Sequence, residues 1–173
     1  MEAHIRELKD KFNVIAFRIT DENFGSNKKQ AYELARIMKK CGVYWMTGGR
    51  CTSFTAEDIK FYSEHNCVDL AFGIESGSQK ILDIMEKKAN TEDIYNSIAN
   101  CAKLGIRSEP DALMLGMPGE TRETVIESSQ FIASLRYVLG LDWNIGSTFW
   151  AMAIPGTPLY EYGECVGMID KAP

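Results

Sequence analysis

The residues whose types and spacing could do chemistry gather at a few points of this chain. Glu75 closes the run Val68-Asp69-Leu70-Ala71-Phe72-Gly73-Ile74 and precedes Ser76-Gly77. A carboxylate at a strand's mouth can accept bonds from hydroxyls or an ammonium group, or can cap the helix that follows. Arg50 follows Gly48-Gly49, and its guanidinium suits a two-pronged clamp on a carboxylate or phosphate, or an ion pair with Glu75 or Asp21. Asp21, Glu22 and Asn23 form an acidic rim fit for a cation or ammonium group, or else a turn that nucleates the next helix. The stretch Gly116-Met117-Pro118-Gly119-Glu120-Thr121 lets backbone approach a ligand closely and aims amides at it from a helix start.

Other chemistries lack their residues. No Gly-Lys-Ser/Thr follows the Gly116 stretch, so it is not a phosphate-binding P-loop, and Gly73-Ile-Glu-Ser-Gly77 does not satisfy the dinucleotide pattern GxGxxG. His4 and His65 lack i, i+4 partners and are expected at the surface. The five cysteines, Cys41, Cys51, Cys67, Cys101 and Cys165, are odd in number, with no CxxC among them. Neither a disulfide framework nor a local zinc or iron-sulfur motif is therefore expected, no metal ligand is assigned, and Cys67 and Cys101 read as small buried apolar residues. Met38, Met46, Met85, Met114, Met117 and Met152 read as gap-filling core.

The elements that must position these residues alternate. Short apolar and β-branched runs at 14–19, 43–46, 68–74, 112–115 and, after Gly140, within 141–154 are strand candidates. Between them lie helically spaced sets such as Ala31, Leu34, Ala35, Met38 and Cys41, or Ile94, Ile98, Cys101 and Ala102. Thr55 to Asp58 and Thr124 to Glu127 resemble capping boxes, while Gly42, Gly105 and Gly140 stand where helices should end. Strands alternating with helices, without hairpin turns, imply βαβ units and a parallel sheet. The helix-to-strand junctions are plain, and the strand-to-helix junctions carry every candidate above. In parallel α/β folds that is the edge at which active sites form, although helix capping also accounts for part of the asymmetry.

With 173 residues, 45% hydrophobic and 25% charged, the chain matches the globular average and can bury roughly 70% of its unfolded surface without disulfides or structural metal. It reads as a single domain over 1–173. Nineteen Lys+Arg against twenty-four Asp+Glu give a net charge of -5, which argues against nucleic acid as a partner. No stretch reaches the ~18 apolar residues of a membrane span, and the N-terminus lacks the apolar segment of a signal peptide. A cytoplasmic location away from membranes is expected.

Taken in order, the motifs resemble a known family. Phe17-Arg-Ile-Thr-Asp21-Glu-Asn23-Phe24, Arg50, Phe72-Gly-Ile-Glu75-Ser76-Gly77-Ser78, Leu115-Gly116-Met-Pro118-Gly119-Glu120-Thr121 and Ile154-Pro155-Gly156-Thr157-Pro158 follow one another as in radical S-adenosylmethionine (SAM) enzymes. The branch resembled includes cobalamin-binding enzymes, anaerobic magnesium-protoporphyrin ester cyclases and methylthiotransferases. The resemblance implies an α/β fold, a partial TIM-like (βα) barrel, with five parallel strands of a six-unit barrel and the first strand missing. It implies SAM as cofactor, with a [4Fe-4S] cluster in the intact parent only and cobalamin, if used, through a separate domain. The CxxxCxxC that holds the cluster is absent from the sequence; truncation is the expected reason, and a natural relative that lost its cluster is the alternative.

By the same resemblance, Glu75 and Ser76 contact the ribose or methionine part of SAM, Asp21 and Arg50 its amino and carboxylate groups, and the backbone near Gly116 and Pro118 borders the adenine. An intact enzyme of this kind cleaves SAM reductively to a 5'-deoxyadenosyl radical that abstracts a substrate hydrogen, and the chain alone is expected to be inactive. The partner is a small-molecule substrate of unspecified identity, and self-association through an exposed sheet edge is a further expectation. Two rival readings stand beside this one: a cluster-free α/β module that binds a nucleotide or anion through the Gly119 loop and Arg50, and a barrel hydrolase or isomerase with Glu75 as general base.

Overall fold

The computed structural model describes residues 1–21, 24–108, 110–140 and 147–169. Helix α1 (Glu2–Phe12) leads into strand β1 (Ala16–Arg18), followed by α2 (Lys28–Cys41), β2 (Tyr44–Gly49), a single 3-10 turn (Cys51–Ser53) and α3 (Ala56–Ser63). Then come β3 (Cys67–Glu75), α4 (Gln79–Ile84), α5 (Thr91–Lys103), β4 (Pro110–Leu115), α6 (Arg122–Leu139), β5 (Ser147–Trp150) and α7 (Pro158–Cys165). The five strands pair in sequential order, β1-β2-β3-β4-β5, every pair parallel, and curl into a half-barrel.

The local signals act largely as expected. Thr55 caps α3 reciprocally with Asp58, and Gly42 and Gly140 end α2 and α6 in the left-handed conformation. One cap is displaced: the box at α6 joins Thr121 to Thr124, so Thr124 is its third residue and not the cap. Asn90 and Asp93 make a further box at α5. Two strand limits also move, since Gly48 and Gly49 continue β2 and Glu75 is the last residue of β3. Both extensions are backbone pairings, Gly48 with Ala71 and Gly49 with Phe72 for β2 and Glu75 with Leu113 for β3, which side-chain hydropathy does not reveal. The expected run 141–154 is a strand at Ser147–Trp150, and its part at 141–146 lies outside the described residues.

The core lies between the sheet and its helices. Trp45, Leu70, Phe72 and Ile74 point from β2 and β3 to the helical side, where they meet Met38, Ile59, Tyr62, Ile94 and Ile98, all essentially inaccessible. Each such large side chain contributes about 1.5–3 kcal/mol by leaving water. Phe24, Trp45, Phe54 and Tyr62 pack ring against ring, with centroids 5.5–6.4 Å apart. Cys41, Cys51, Cys67 and Cys101 are buried, as Cys67 and Cys101 were expected to be, whereas Cys165 is exposed. Other side chains depart from expectation: His65 stacks on Phe61 at 3.9 Å and is half-buried, and of the six methionines expected in the core only Met38 is there, since Met46, Met85, Met114 and Met117 are half-buried and Met152 is 73% exposed.

The opposite face of the sheet follows from the register. Arg18 pairs with Met46, Gly48 with Ala71, and Gly73 with Ala112, and paired residues of parallel strands share a face. This concave face is lined by small residues at Gly48, Ala71, Gly73 and Ala112, so it is open where the other face is filled.

Candidate functional site

Glu75 is held by an unusual backbone. Its φ is +62°, and the amide of Ser76 donates to the carbonyl of Ile74 at 2.8 Å, closing a three-residue turn around it. Such a turn is rare for a residue with a side chain and costs about 1–3 kcal/mol, which the surrounding packing must offset. The pairing of β3 with β4 slips at the same place, between Gly73 and Glu75. The effect is to end the strand abruptly and turn the carboxylate back over the concave face. There Lys87 Nζ donates to Glu75 Oε1 at 2.5 Å, with both side chains about four-fifths buried. Gly73 lies beneath this pair: a Cβ there would stand 2.7 Å from Glu75 Oε1 and 3.5 Å from Lys87 Nζ.

Lys87 arrives from the connection between α4 and α5, where its neighbours Glu86 and Lys88 both have positive φ, 51° and 55°. Two left-handed non-glycine residues flanking one lysine turn the chain so that its side chain runs inward. Sequence reading did not find Lys87, because it lies in a charged, aperiodic segment twelve residues past Glu75.

Around the pair lies a cavity of about 390 Å³ at the carboxyl ends of β1, β2 and β3, lined by Arg18, Asp21, Gly48, Arg50, Gly73, Glu75 and Lys87 among others. Three of the expected site residues, Asp21, Arg50 and Glu75, therefore converge. Arg18 joins them unforeseen; its signal was its place in a short strand, on the face opposite Phe17. Arg50 does not take Glu75 as its partner, which is Lys87. Glu22 and Asn23, the rest of the acidic rim, lie outside the described residues.

The structure does not place the other expected residues on this cavity. Ser76 is buried: its hydroxyl meets Ser128 Oγ at 3.0 Å and accepts from the amide of Ser78 at 3.1 Å. The amide of Gly77 donates to Ser128 at 3.0 Å, and Ser78 bonds Glu127. A Cβ on Gly77 would lie 2.6 Å from Phe131 Cβ and 2.8 Å from Ser128 Cα, so the glycine is what lets α6 come so close. Within Glu75-Ser76-Gly77-Ser78 the first residue serves the cavity and the next three seat a helix. Gly116 and Pro118 line a separate, more apolar cavity of about 370 Å³ with Ala151, Leu159, Tyr162 and Ile169. The Gly116 amide is taken by Glu120 Oε2 at 2.6 Å, so the loop's own carboxylate occupies a donor expected to face a ligand.

Chemically, the first cavity offers three cations, Arg18, Arg50 and Lys87, and two carboxylates, Asp21 and Glu75, around an open glycine-lined floor. That set suits a zwitterionic ligand with hydroxyl groups: carboxylates accept from ammonium and hydroxyls, and guanidinium grips a carboxylate.

The family model of the radical SAM superfamily matches residues 1–132. The chain belongs to the radical SAM superfamily. An uncharacterized methyltransferase of Pyrococcus horikoshii is 28% identical, aligning with 87% of this chain and 32% of its own length. Cytidylyl-2-hydroxyethylphosphonate methyltransferase of Streptomyces wedmorensis is also 28% identical, over 96% of this chain and 32% of its own length. Among solved structures, the radical SAM methyltransferase TsrM from Kitasatospora setae, with cobalamin and a [4Fe-4S] cluster bound, superposes with a TM-score of 0.77 at 20% identity, covering 99% of this chain and 34% of that one. The chain thus spans about a third of the length of these relatives.

Radical SAM enzymes use SAM and a [4Fe-4S] cluster. The two groups fit this chain differently. SAM carries an ammonium, a carboxylate and ribose hydroxyls, which match the charges around the cavity. A cluster needs several convergent thiolates. The cysteines here stand on α2, the 3-10 turn, β3, α5 and α7, and among the described residues no three His, Cys, Asp or Glu converge as metal ligands. Burial also pushes the Cys51, Cys67 and Cys101 thiols upward, Cys101 to about 12, so none of these three is poised as a thiolate.

Proposed function

We propose that this chain forms the SAM-binding portion of a longer radical SAM enzyme, and that its own residues hold and orient SAM without supplying the cluster. The observation that carries this is the convergence of Asp21, Arg50, Glu75 and Lys87 on one cavity at the carboxyl edge of a parallel half-barrel. Glu75, fixed by its turn and by Lys87, accepts from the ribose hydroxyls. Arg50 grips the amino-acid carboxylate and Asp21 accepts from the ammonium. Bound SAM supplies the sulfonium whose carbon-sulfur bonds react. Gly48, Ala71 and Gly73 keep the floor below free for a second small molecule, and the similarity to two methyltransferases supports methyl transfer as the class of reaction. Alone, the chain binds SAM and does not turn it over.

The test is calorimetric titration of SAM and its unreactive relative S-adenosylhomocysteine into the chain and into Glu75→Gln, with a melting curve of each. Gln keeps the shape and removes the charge. Loss of a charge-assisted bond costs about 1.5–3 kcal/mol, so affinity is expected to fall roughly ten- to a hundredfold. The melting point is expected to move by only a few degrees. Equal affinity of the two proteins would remove Glu75 from the site.

A further inference from the structure

We propose that Arg18 anchors the acid group of the second molecule bound in this cavity, so that the substrate is an organic anion, a carboxylate or a phosphonate. This rests on the reading of the cavity as a SAM site. Among the described residues three cations line it against two carboxylates, and the 2.5 Å contact of Lys87 with Glu75 neutralises one pair. SAM itself carries a net positive charge from its sulfonium, ammonium and carboxylate. With SAM in place the cavity therefore holds surplus positive charge, which an anion offsets.

Arg18 is the cation placed to meet that anion. It lies on β1, two strands from Glu75, roughly 10 Å across the sheet at the usual strand spacing. Through its pairing with Met46, and that of Met46 with Asp69, it stands six residues deeper in register than Glu75. In the proposed SAM site Arg50 grips the amino-acid carboxylate and Glu75 accepts from the ribose, which leaves Arg18, on the same cavity, for a second ligand. Among the described residues it makes no ion pair. Its backbone partner on β2 is Met46.

The test uses the chain saturated with S-adenosylhomocysteine and two probes, benzoate and phenylphosphonate, which separate the two acid types. Each is titrated into the unaltered chain, Arg18→Gln and Arg18→Lys. The expected result is that at least one probe binds, that Arg18→Gln weakens it about tenfold or more, and that Arg18→Lys retains part of the affinity. S-adenosylhomocysteine affinity should stay within about twofold in both variants. Failure of both probes to bind, equal binding by Arg18→Gln, or a parallel loss of S-adenosylhomocysteine affinity would each overturn the proposal, the last by assigning Arg18 to the SAM site itself. If S-adenosylhomocysteine does not bind the unaltered chain, the SAM reading fails. The probes titrated without it then judge Arg18 alone: binding lost in Arg18→Gln sustains the anion subsite, and no loss overturns it.

Discussion

Gly73 and Asp58 separate the site from the scaffold at the level of single residues. Gly73→Ala places a methyl against the Glu75 and Lys87 side-chain ends, which are flexible enough to move aside. It is expected to weaken S-adenosylhomocysteine by several-fold in a titration while leaving the melting point nearly unchanged. Asp58 is the reverse case. It is 3% exposed and accepts from Tyr32 Oη at 2.7 Å, from the Thr55 amide at 2.7 Å and from Lys28. Burial alone would raise its carboxyl; these bonds outweigh that and hold it at about 2, below its ordinary 3.8. A folded value below the unfolded one gives stability that is complete above 3.8 and is lost as pH falls through 2. Asp58→Asn should cost about 2 kcal/mol at pH 7, roughly 4–8 °C in melting point. That gap should narrow as the pH is lowered from 5 to 2. A gap constant across that range would show that the charge of Asp58 is not what stabilises the fold.

The elements show how far sequence alone could reach. The alternation of strands and helices, and the chemistry gathered at one end of the strands, were legible because periodicity, caps and terminal glycines are local signals. The place of Glu75 at the mouth of β3 was legible for the same reason. Ser76, expected to contact the ligand, bonds Ser128 on α6, and nothing near residue 76 says that a helix begun 46 residues later will pack on it. Lys87 and Arg18 were missed since their roles depend on a loop's path and on strand register. The Gly116 loop was correctly placed at the carboxyl edge, but the curl of the sheet sets it beside α7 in a cavity of its own. The close seat of α6 makes a prediction at this scale. Gly77→Ala forces the helix away from backbone atoms, which cannot yield like a side-chain end, and overpacking of that kind costs about 1–3 kcal/mol. The melting point should fall by several degrees, and S-adenosylhomocysteine binding should suffer only through the shift of the adjoining turn at Glu75. A melting point equal to that of the unaltered chain would mean that α6 is not seated on Gly77 as described.

In the molecule as a whole, five parallel strands carry helices on one face and an open, glycine-lined hollow on the other, and that hollow is where we propose that SAM binds. None of the described helices is long and apolar enough to cross a membrane. Four cysteines are sealed in the core and Cys165 is exposed, so a thiol reagent should label one cysteine rapidly in the native chain and all five in urea. Rapid labelling of two or more would show that the core opens. The most direct measurement of the site itself is an amide nuclear magnetic resonance map of the chain titrated with S-adenosylhomocysteine. Binding in the cavity predicts that the largest shifts fall at Gly48 to Arg50, at Gly73 to Ser76 and at Lys87, with lesser ones at Arg18 to Asp21. Shifts confined to Gly116 to Glu120 and α7, or a spectrum that does not change at saturating ligand, would contradict it.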